Sequence, residues 1–286
     1  MLNNNVEAEH LGGGVVLFRN AISFDVAWAV QFAEEQISKE REEMYTKAVD
    51  PETGEPAYLN QSGYYFKAEG VDMMPRRGSQ IHRTTRNDVR DFIEAVERAK
   101  DEYLLKYFVL FPIAYKNVWW KVKGHLVSYS TQYGGSFLGP HSDTSADYAY
   151  GYPHPDNQLA TRNSVSCVVY INDEFEGGHH YFNYLDIDYK PNSGDILMFP
   201  ANYMASHEVT PIVKGSRYSY LGWYAQGSPN KEVNEHIVDP MTDPELAKTA
   251  TNVYMPTLRE DFKNYLDSIN CDKSSQAYQL VERMSS

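Results

Sequence analysis

Behind Gly12-Gly13-Gly14, the unbroken apolar run Val15 to Phe18 predicts a short buried strand. Beyond it, Val26, Val30, Ala33 and Ile37 recur at three- and four-residue spacing, which predicts a helix capped by Ser23 and reaching about Tyr45. Asp50 to Pro56 is turn chemistry. Residues 57–84 follow neither period and end on the basic patch Arg76, Arg77, His82 and Arg83, so they read as irregular loop. Asn87, as a cap, and the spacing of Val89, Ile93, Val96, Tyr103, Leu104 and Tyr107 predict a second helix.

From about residue 118 the pattern shortens to β-rich runs separated by Gly, Pro, Asn and Asp. They are Val118–Val122, Leu126–Thr131, Val165–Ile171, His179–Tyr184, Ile196–Phe199, His207–Val213 and Tyr218–Tyr224. Such spacing predicts a sandwich or barrel of antiparallel strands. After Pro229 helical signals return: Asp243 before Pro244 is a helix start, and Thr257-x-x-Glu260 is a capping-box pattern ahead of Phe262, Leu266 and Ile269. The expected organisation is an N-terminal helical and strand extension packed on the core (1–117), a β core (118–226) and a C-terminal helical tail (227–286). The fold class is mainly β with flanking helices (α+β).

A chain of 286 residues fits one large domain with extensions. Its 39 acidic against 26 basic residues give a charge of −13, which argues against a general affinity for nucleic acid or an anionic membrane. Aromatic residues at 14% favour strands and aromatic-walled clefts. Two distant cysteines, Cys167 and Cys271, make neither a disulfide framework nor a zinc motif, and Cys167 sits in an apolar run as a small hydrophobe. With no secretory signal pattern and no 18-residue apolar run, a cytoplasmic location is expected. Composition leaves the oligomeric state and the source open.

Candidate chemistry begins at His141-Ser142-Asp143, whose first and third side chains would share one face of a strand. His207 follows 64 residues later. Two histidines and a carboxylate with open coordination positions make the facial triad of non-haem Fe(II) oxygenases. Arg217 lies ten residues beyond His207, across a Val213-Lys214-Gly215-Ser216 segment that reads as a hairpin turn, so the neighbouring strand is expected to return it beside the metal strand. A guanidinium can pair bidentately with a carboxylate. Tyr170 alternates with Val169 and faces away from the Val165, Cys167, Val169 and Ile171 face. His179 and His180 must face opposite sides, so they cannot share one metal, and surface or substrate-side roles are expected of them. Gly177-Gly178 reads as a turn.

The combination resembles the prolyl-4-hydroxylase-type branch of the Fe(II)/2-oxoglutarate-dependent dioxygenases. The residues that carry the resemblance are Tyr133-Gly-Gly, Pro140-His141-Ser-Asp143, Val168-Val-Tyr170-Ile-Asn172, Phe175-Glu-Gly-Gly178, Pro191-x-x-Gly194-Asp195, His207-Glu-Val-Thr-Pro211 and Gly215-Ser-Arg217-Tyr218. The resemblance covers about residues 118–226 and implies a double-stranded β-helix (jelly-roll) core. It implies His141, Asp143 and His207 as iron ligands, and Arg217, with Tyr170 and Tyr133, as the 2-oxoglutarate site. It further implies Fe(2+), 2-oxoglutarate and O2, with ascorbate as an additional candidate, and hydroxylation of a prolyl residue in a peptide or protein with release of succinate and CO2.

Tyr148 and Arg162 are candidate substrate contacts, His154 lies in the same Tyr/Pro-rich loop, and residues 57–84 and 144–162 are candidate lids. Three other readings stand beside this one. A hydroxylase of a free amino acid or small metabolite would use the same site. A nucleic-acid demethylase of the same iron type is opposed by the charge of −13. A jelly-roll binding module that has lost its metal is opposed by the intact ligand set with Arg217.

Overall fold

Strands that bury both faces need cover on both sides, and the β-rich half of this chain meets that need with two facing antiparallel sheets and a helical layer. The computed structural model describes residues 6–60, 65–67, 86–131, 137–144, 160–228 and 252–285. In chain order β1 (Glu9–Gly12), β2 (Val15–Phe18), α1 (Val26–Met44), β3 (Tyr45–Val49), β4 (Pro56–Asn60), β5 (Tyr65–Lys67), α2 (Asn87–Leu110) and α3 (Pro112–Asn117) precede the β-rich half. That half holds β6 (Val118–Ser130), β7 (Leu138–His141), β8 (Asn163–Tyr170), β9 (Glu176–Gly177), β10 (His180–Phe182), β11 (Ile187–Tyr189), β12 (Ile196–Pro200), β13 (His207–Val209), β14 (Ile212–Lys214) and β15 (Ser216–Gln226). β16 (Asn252–Tyr254), α4 (Leu258–Ser268) and α5 (Gln276–Ser285) follow.

The larger sheet has seven strands in the order β1-β2-β12-β8-β15-β6-β16, and the smaller has four in the order β11-β10-β13-β7. The chain passes back and forth between them, from β6 to β7, then β8, then β10 and β11, then β12, β13 and β15. This is the double-stranded β-helix, or jelly roll. The segments flanking 118–226 supply strands to the larger sheet: β2 pairs with β12 at one side, and β16 pairs with β6 at the other.

Alternation along β8 shows how the layers divide. Val165, Cys167 and Val169 belong to the core shared with α1, α2, α3, α4 and α5, whereas Val168 and Tyr170 join Phe182, Leu197 and Phe199 between the sheets. Cys167 is fully buried, and burial pushes its thiol up to about 12, as suits a small hydrophobe.

Several local expectations change. The first helix is capped by Asp25 rather than Ser23: the Trp28 amide donates to the Asp25 carboxylate at 3.0 Å. Asn87 is the first helical residue and Arg86 holds the cap position, without a side-chain cap bond. Thr257 caps α4 in position only, since its hydroxyl donates to Asp261 at 3.0 Å. The stretch expected to be irregular after residue 56 contains β4 and β5, and β4 pairs with both β3 and β5 in a three-stranded sheet. Residues 68–85, 145–159 and the Asp243-Pro244 helix start, with most of both candidate lids, lie outside the described residues. The single run foreseen at His207–Val213 is two strands, because Pro211 lacks an N–H for the ladder.

A buried charge cluster locks α2 to the outer face of the larger sheet. Glu97 accepts from Lys100 Nζ at 2.9 Å, the Gly124 amide at 2.9 Å and the Tyr220 hydroxyl at 2.7 Å. Lys121 Nζ donates to Asp101 at 2.6 Å and lies 3.5 Å from Glu97. Burial alone would raise the Glu97 carboxyl, but Lys100, Lys121, the Gly124 amide and Tyr220 outweigh it and hold it well below the ordinary 4.5. With its folded value depressed, Glu97 stabilises the fold fully above about 4.5 and progressively less as the pH falls below that. Glu97→Gln is expected to cost roughly 3–5 kcal/mol near neutrality, because it strands the fully buried Lys100 ammonium. It should also flatten the acid limb of stability. Urea unfolding of both proteins across the acidic range measures each effect.

Candidate functional site

His141 ends β7 and stands directly opposite His207 on β13. Asp143 lies two residues beyond His141, in a bend after the strand has ended. Strand periodicity is therefore not what aligns His141 with Asp143. The bend is instead anchored to the facing sheet: Ser166 Oγ, on β8, donates to Asp143 Oδ2 at 2.5 Å, and the Asn163 amide donates to the Asp143 carbonyl at 3.1 Å. The Thr144 amide adds a bond to the Ala201 carbonyl at 2.8 Å.

The outcome is a cluster in which one ligand atom from each of His141, Asp143 and His207 lies within 4.8 Å of the others. His141 Nε2 is 3.7 Å from Asp143 Oδ1, and the two imidazole centroids are 4.4 Å apart. Each ring faces a backbone carbonyl through Nδ1, His141 to Gly139 at 2.9 Å and His207 to Ala205 at 3.0 Å. A carbonyl can only accept, so each Nδ1 carries a hydrogen, and in the neutral form of each ring Nε2 is the nitrogen that offers a lone pair. Burial pushes His207 down to about 4, with Asp143 opposing, so the ring is neutral near pH 7. Two neutral imidazoles and a carboxylate fit a divalent transition metal such as Fe(II), with coordination positions to spare.

Arg217 reaches the same space from the other sheet. The hairpin expected between residues 213 and 216 does not form: β13 pairs with β10 and β7, whereas β15 pairs with β6 and β8. Gly215, at φ +80°, lets the chain cross from one sheet to the other. Arg217 is 2% exposed, donates through Nη1 to the Gly178 carbonyl at 2.7 Å, and stacks against Tyr170 and Tyr129 with its guanidinium carbon 5.0 and 5.4 Å from the ring centroids. Among the described residues no carboxylate pairs with it, so this buried cation suits an anionic ligand.

Gly177 and Gly178 do not reverse the chain. The antiparallel register of Ile212 with Gly177 continues into that of Val209 with His180, so the pair, at φ +75° and +63°, is an interruption that turns the Gly178 carbonyl towards Arg217.

Of the residues singled out in the sequence, Tyr170 faces between the sheets as its alternation requires, with Arg217 beside it. Tyr133 and Tyr148 lie outside the described residues, as does His154. Arg162 is half-buried at the end of the 3-10 turn that leads into β8.

Two residues beside the site carry no motif in the sequence. Tyr129, directly opposite Arg217 in the β15–β6 pairing, was hidden because no motif marks it; the strand register was its only signal. His180, expected at the surface or on the substrate side, is 2% exposed, and its ring centroid is 4.7 Å from that of His207. Burial, with His207, Arg217 and His141 nearby, holds it well below 6.5. His179 faces the opposite side and meets Asp188 at 2.8 Å, as the alternation demands.

Residues 124–225 match the model of the 2OG-Fe(II) oxygenase superfamily. A PKHD-type hydroxylase of Idiomarina loihiensis is 33% identical over 76 residues, covering 24% of this chain and 34% of that protein. Another from Saccharophagus degradans is 30% identical over 94 residues, covering 32% and 38%. The chain thus spans less than two fifths of the length of the curated relatives it matches. Among solved structures, the viral collagen prolyl hydroxylase of Paramecium bursaria Chlorella virus-1, in its 2OG complex, aligns with a TM-score of 0.44 at 12% identity, over 76% of this chain and 98% of that one.

Proposed function

Because residues 124–225 match the model of the 2OG-Fe(II) oxygenase superfamily, we propose that this chain is a 2-oxoglutarate-dependent dioxygenase that hydroxylates an unactivated C–H bond, with a prolyl residue of a peptide or protein as substrate. The observation that carries the reading is the pairing of a His-Asp-His ligand cluster on one side with a buried Arg217 on the other, which no carboxylate pairs among the described residues. Iron(II), 2-oxoglutarate and O2 together supply the oxidising chemistry when bound, with succinate and CO2 as co-products.

The protein's part is to bind, orient and shield. His141 and His207 offer Nε2, each ring held by its Nδ1–H bond to a carbonyl. Asp143 turns Oδ1 towards His141 because Ser166 occupies Oδ2. Arg217, with Tyr170 beside it, receives the distal carboxylate of the co-substrate. Phe182, tilted against His207, and Phe199, edge-on to it, keep water from the rear of the ligand cluster.

Ser166→Ala is expected to weaken divalent-metal affinity by roughly ten- to a hundredfold, since the residues that orient ligands carry effects of that size. Titration of the protein with Mn(II) measures it.

Turnover of 2-oxoglutarate over a panel of proline-containing peptides and free amino acids, with and without ascorbate, tests the function itself. Mass spectrometry would locate one added oxygen atom. Oxygen on a prolyl residue supports the proposal, and oxygen on a free amino acid moves the substrate to small metabolites. A metal-loaded protein that consumes no 2-oxoglutarate with any substrate would overturn it.

A further inference from the structure

His180 is a buried polar side chain that the reaction as described does not use. It lies on β10 two residues before Phe182, and both face the interior with His207, which stands opposite Phe182. A hydrophobic residue would suit such a place, since His180 stacks on Phe182 with centroids 4.9 Å apart and meets Phe199 edge-on at 5.3 Å. Instead the ring bonds the Tyr170 hydroxyl through Nδ1 at 2.9 Å, while its Nε2 is buried with no hydrogen-bond partner among the described residues. Buried polar atoms in folded proteins are satisfied, and an exception points to a ligand or an ordered water.

We propose that His180 is a specificity residue for the co-substrate: its Nε2–H donates to the distal carboxylate of the bound dicarboxylate, beside Arg217. This rests on the 2-oxoglutarate reading above. The geometry supports it in two ways. Arg217 already gives Nη1 to Gly178 and Nε to Ser219 at 3.4 Å, so its fork is partly committed, and a carboxylate with several lone pairs needs further donors. Tyr170 links the two groups, since its ring lies against the Arg217 guanidinium and its hydroxyl meets His180. When that hydroxyl donates to Nδ1, the one hydrogen of the neutral imidazole sits on Nε2. An anion offers only acceptors, so it selects this tautomer over the one with a lone pair at Nε2. Tyr170 is then a positioning residue for His180 as well as a wall of the site.

The test is anaerobic calorimetry of the Mn(II)-loaded protein with two probes, 2-oxoglutarate and 2-oxobutanoate, which lacks the distal carboxylate. His180→Leu is expected to weaken 2-oxoglutarate by roughly tenfold or more and to leave 2-oxobutanoate unchanged. His180→Gln, which keeps an N–H donor, should recover part of the loss. Tyr170→Phe should shift 2-oxoglutarate in the same direction, and the loss in the double variant should be less than additive.

Unchanged 2-oxoglutarate binding in His180→Leu would overturn the proposal, as would an equal loss of both probes, which marks a packing role. Should His180→Leu not fold, additive losses from His180→Gln and Tyr170→Phe would overturn it. A wild-type protein that binds Mn(II) but not 2-oxoglutarate would instead remove the underlying reading.

Discussion

Asp143→Ala is expected to abolish turnover and to weaken divalent-metal affinity by about a hundredfold or more, while the fold survives. The expected loss exceeds that from disturbing a residue that merely orients a ligand, which is itself roughly ten- to a hundredfold. Asp143 brings the one negative charge of the ligand cluster, and its Oδ1 lies 3.7 Å from His141 Nε2. Without it, two neutral imidazoles remain, a donor set that binds hard divalent ions weakly. The bend itself should persist, since it is tied through its own backbone: the Asn163 side-chain amide donates to the Asp143 carbonyl at 3.1 Å, and the Thr144 N–H donates to the Ala201 carbonyl at 2.8 Å. Mn(II) titration together with thermal unfolding separates the two effects. Full turnover in Asp143→Ala, with no rescuing ligand added, would remove the ligand assignment, and a metal held elsewhere in the fold would do the same.

Arg217→Ala is expected to raise the dissociation constant for 2-oxoglutarate by roughly 30-fold or more, with metal affinity nearly unchanged. Removing one partner of a desolvated charge pair costs about 2–5 kcal/mol, because the other charge stays buried, and about 1.4 kcal/mol is tenfold. At 2% exposure and with no carboxylate pairing it among the described residues, Arg217 meets the condition of that estimate once an anion is bound. Arg217→Lys should be milder, since the charge is kept while the fork that reaches Gly178 is lost. Titrating 2-oxoglutarate into the wild type and both variants decides the matter. If Arg217→Ala kept wild-type affinity, the co-substrate would be anchored by another cation, with Arg162 the first to examine, or would not be a dicarboxylate.

Local pattern and chemistry determined much of this protein. Alternation along Val165 to Ile171 assigned Tyr170 to the inner face, and the same rule put His179 and His180 on opposite sides, because strand side chains alternate whatever the partner strand is. The residue types at 141, 143, 207 and 217 pointed to one chemistry, since few arrangements other than a metal and an anion site bring together two histidines, a carboxylate and an arginine.

Pairing between distant segments decided the rest. Whether Arg217 returns in the same sheet or the facing one depends on which strands β15 pairs with, and a turn sequence alone does not encode that. Tyr129 entered the site through its register with Arg217 across 88 residues of chain. Asp143 is aligned by Ser166 from the opposite sheet, not by its own strand. His180 is buried because β10 lies in the middle of the smaller sheet, between β11 and β13. Periodicity says which side of a strand a residue takes; only the packing of sheet on sheet says whether that side meets water, a helix or the ligand.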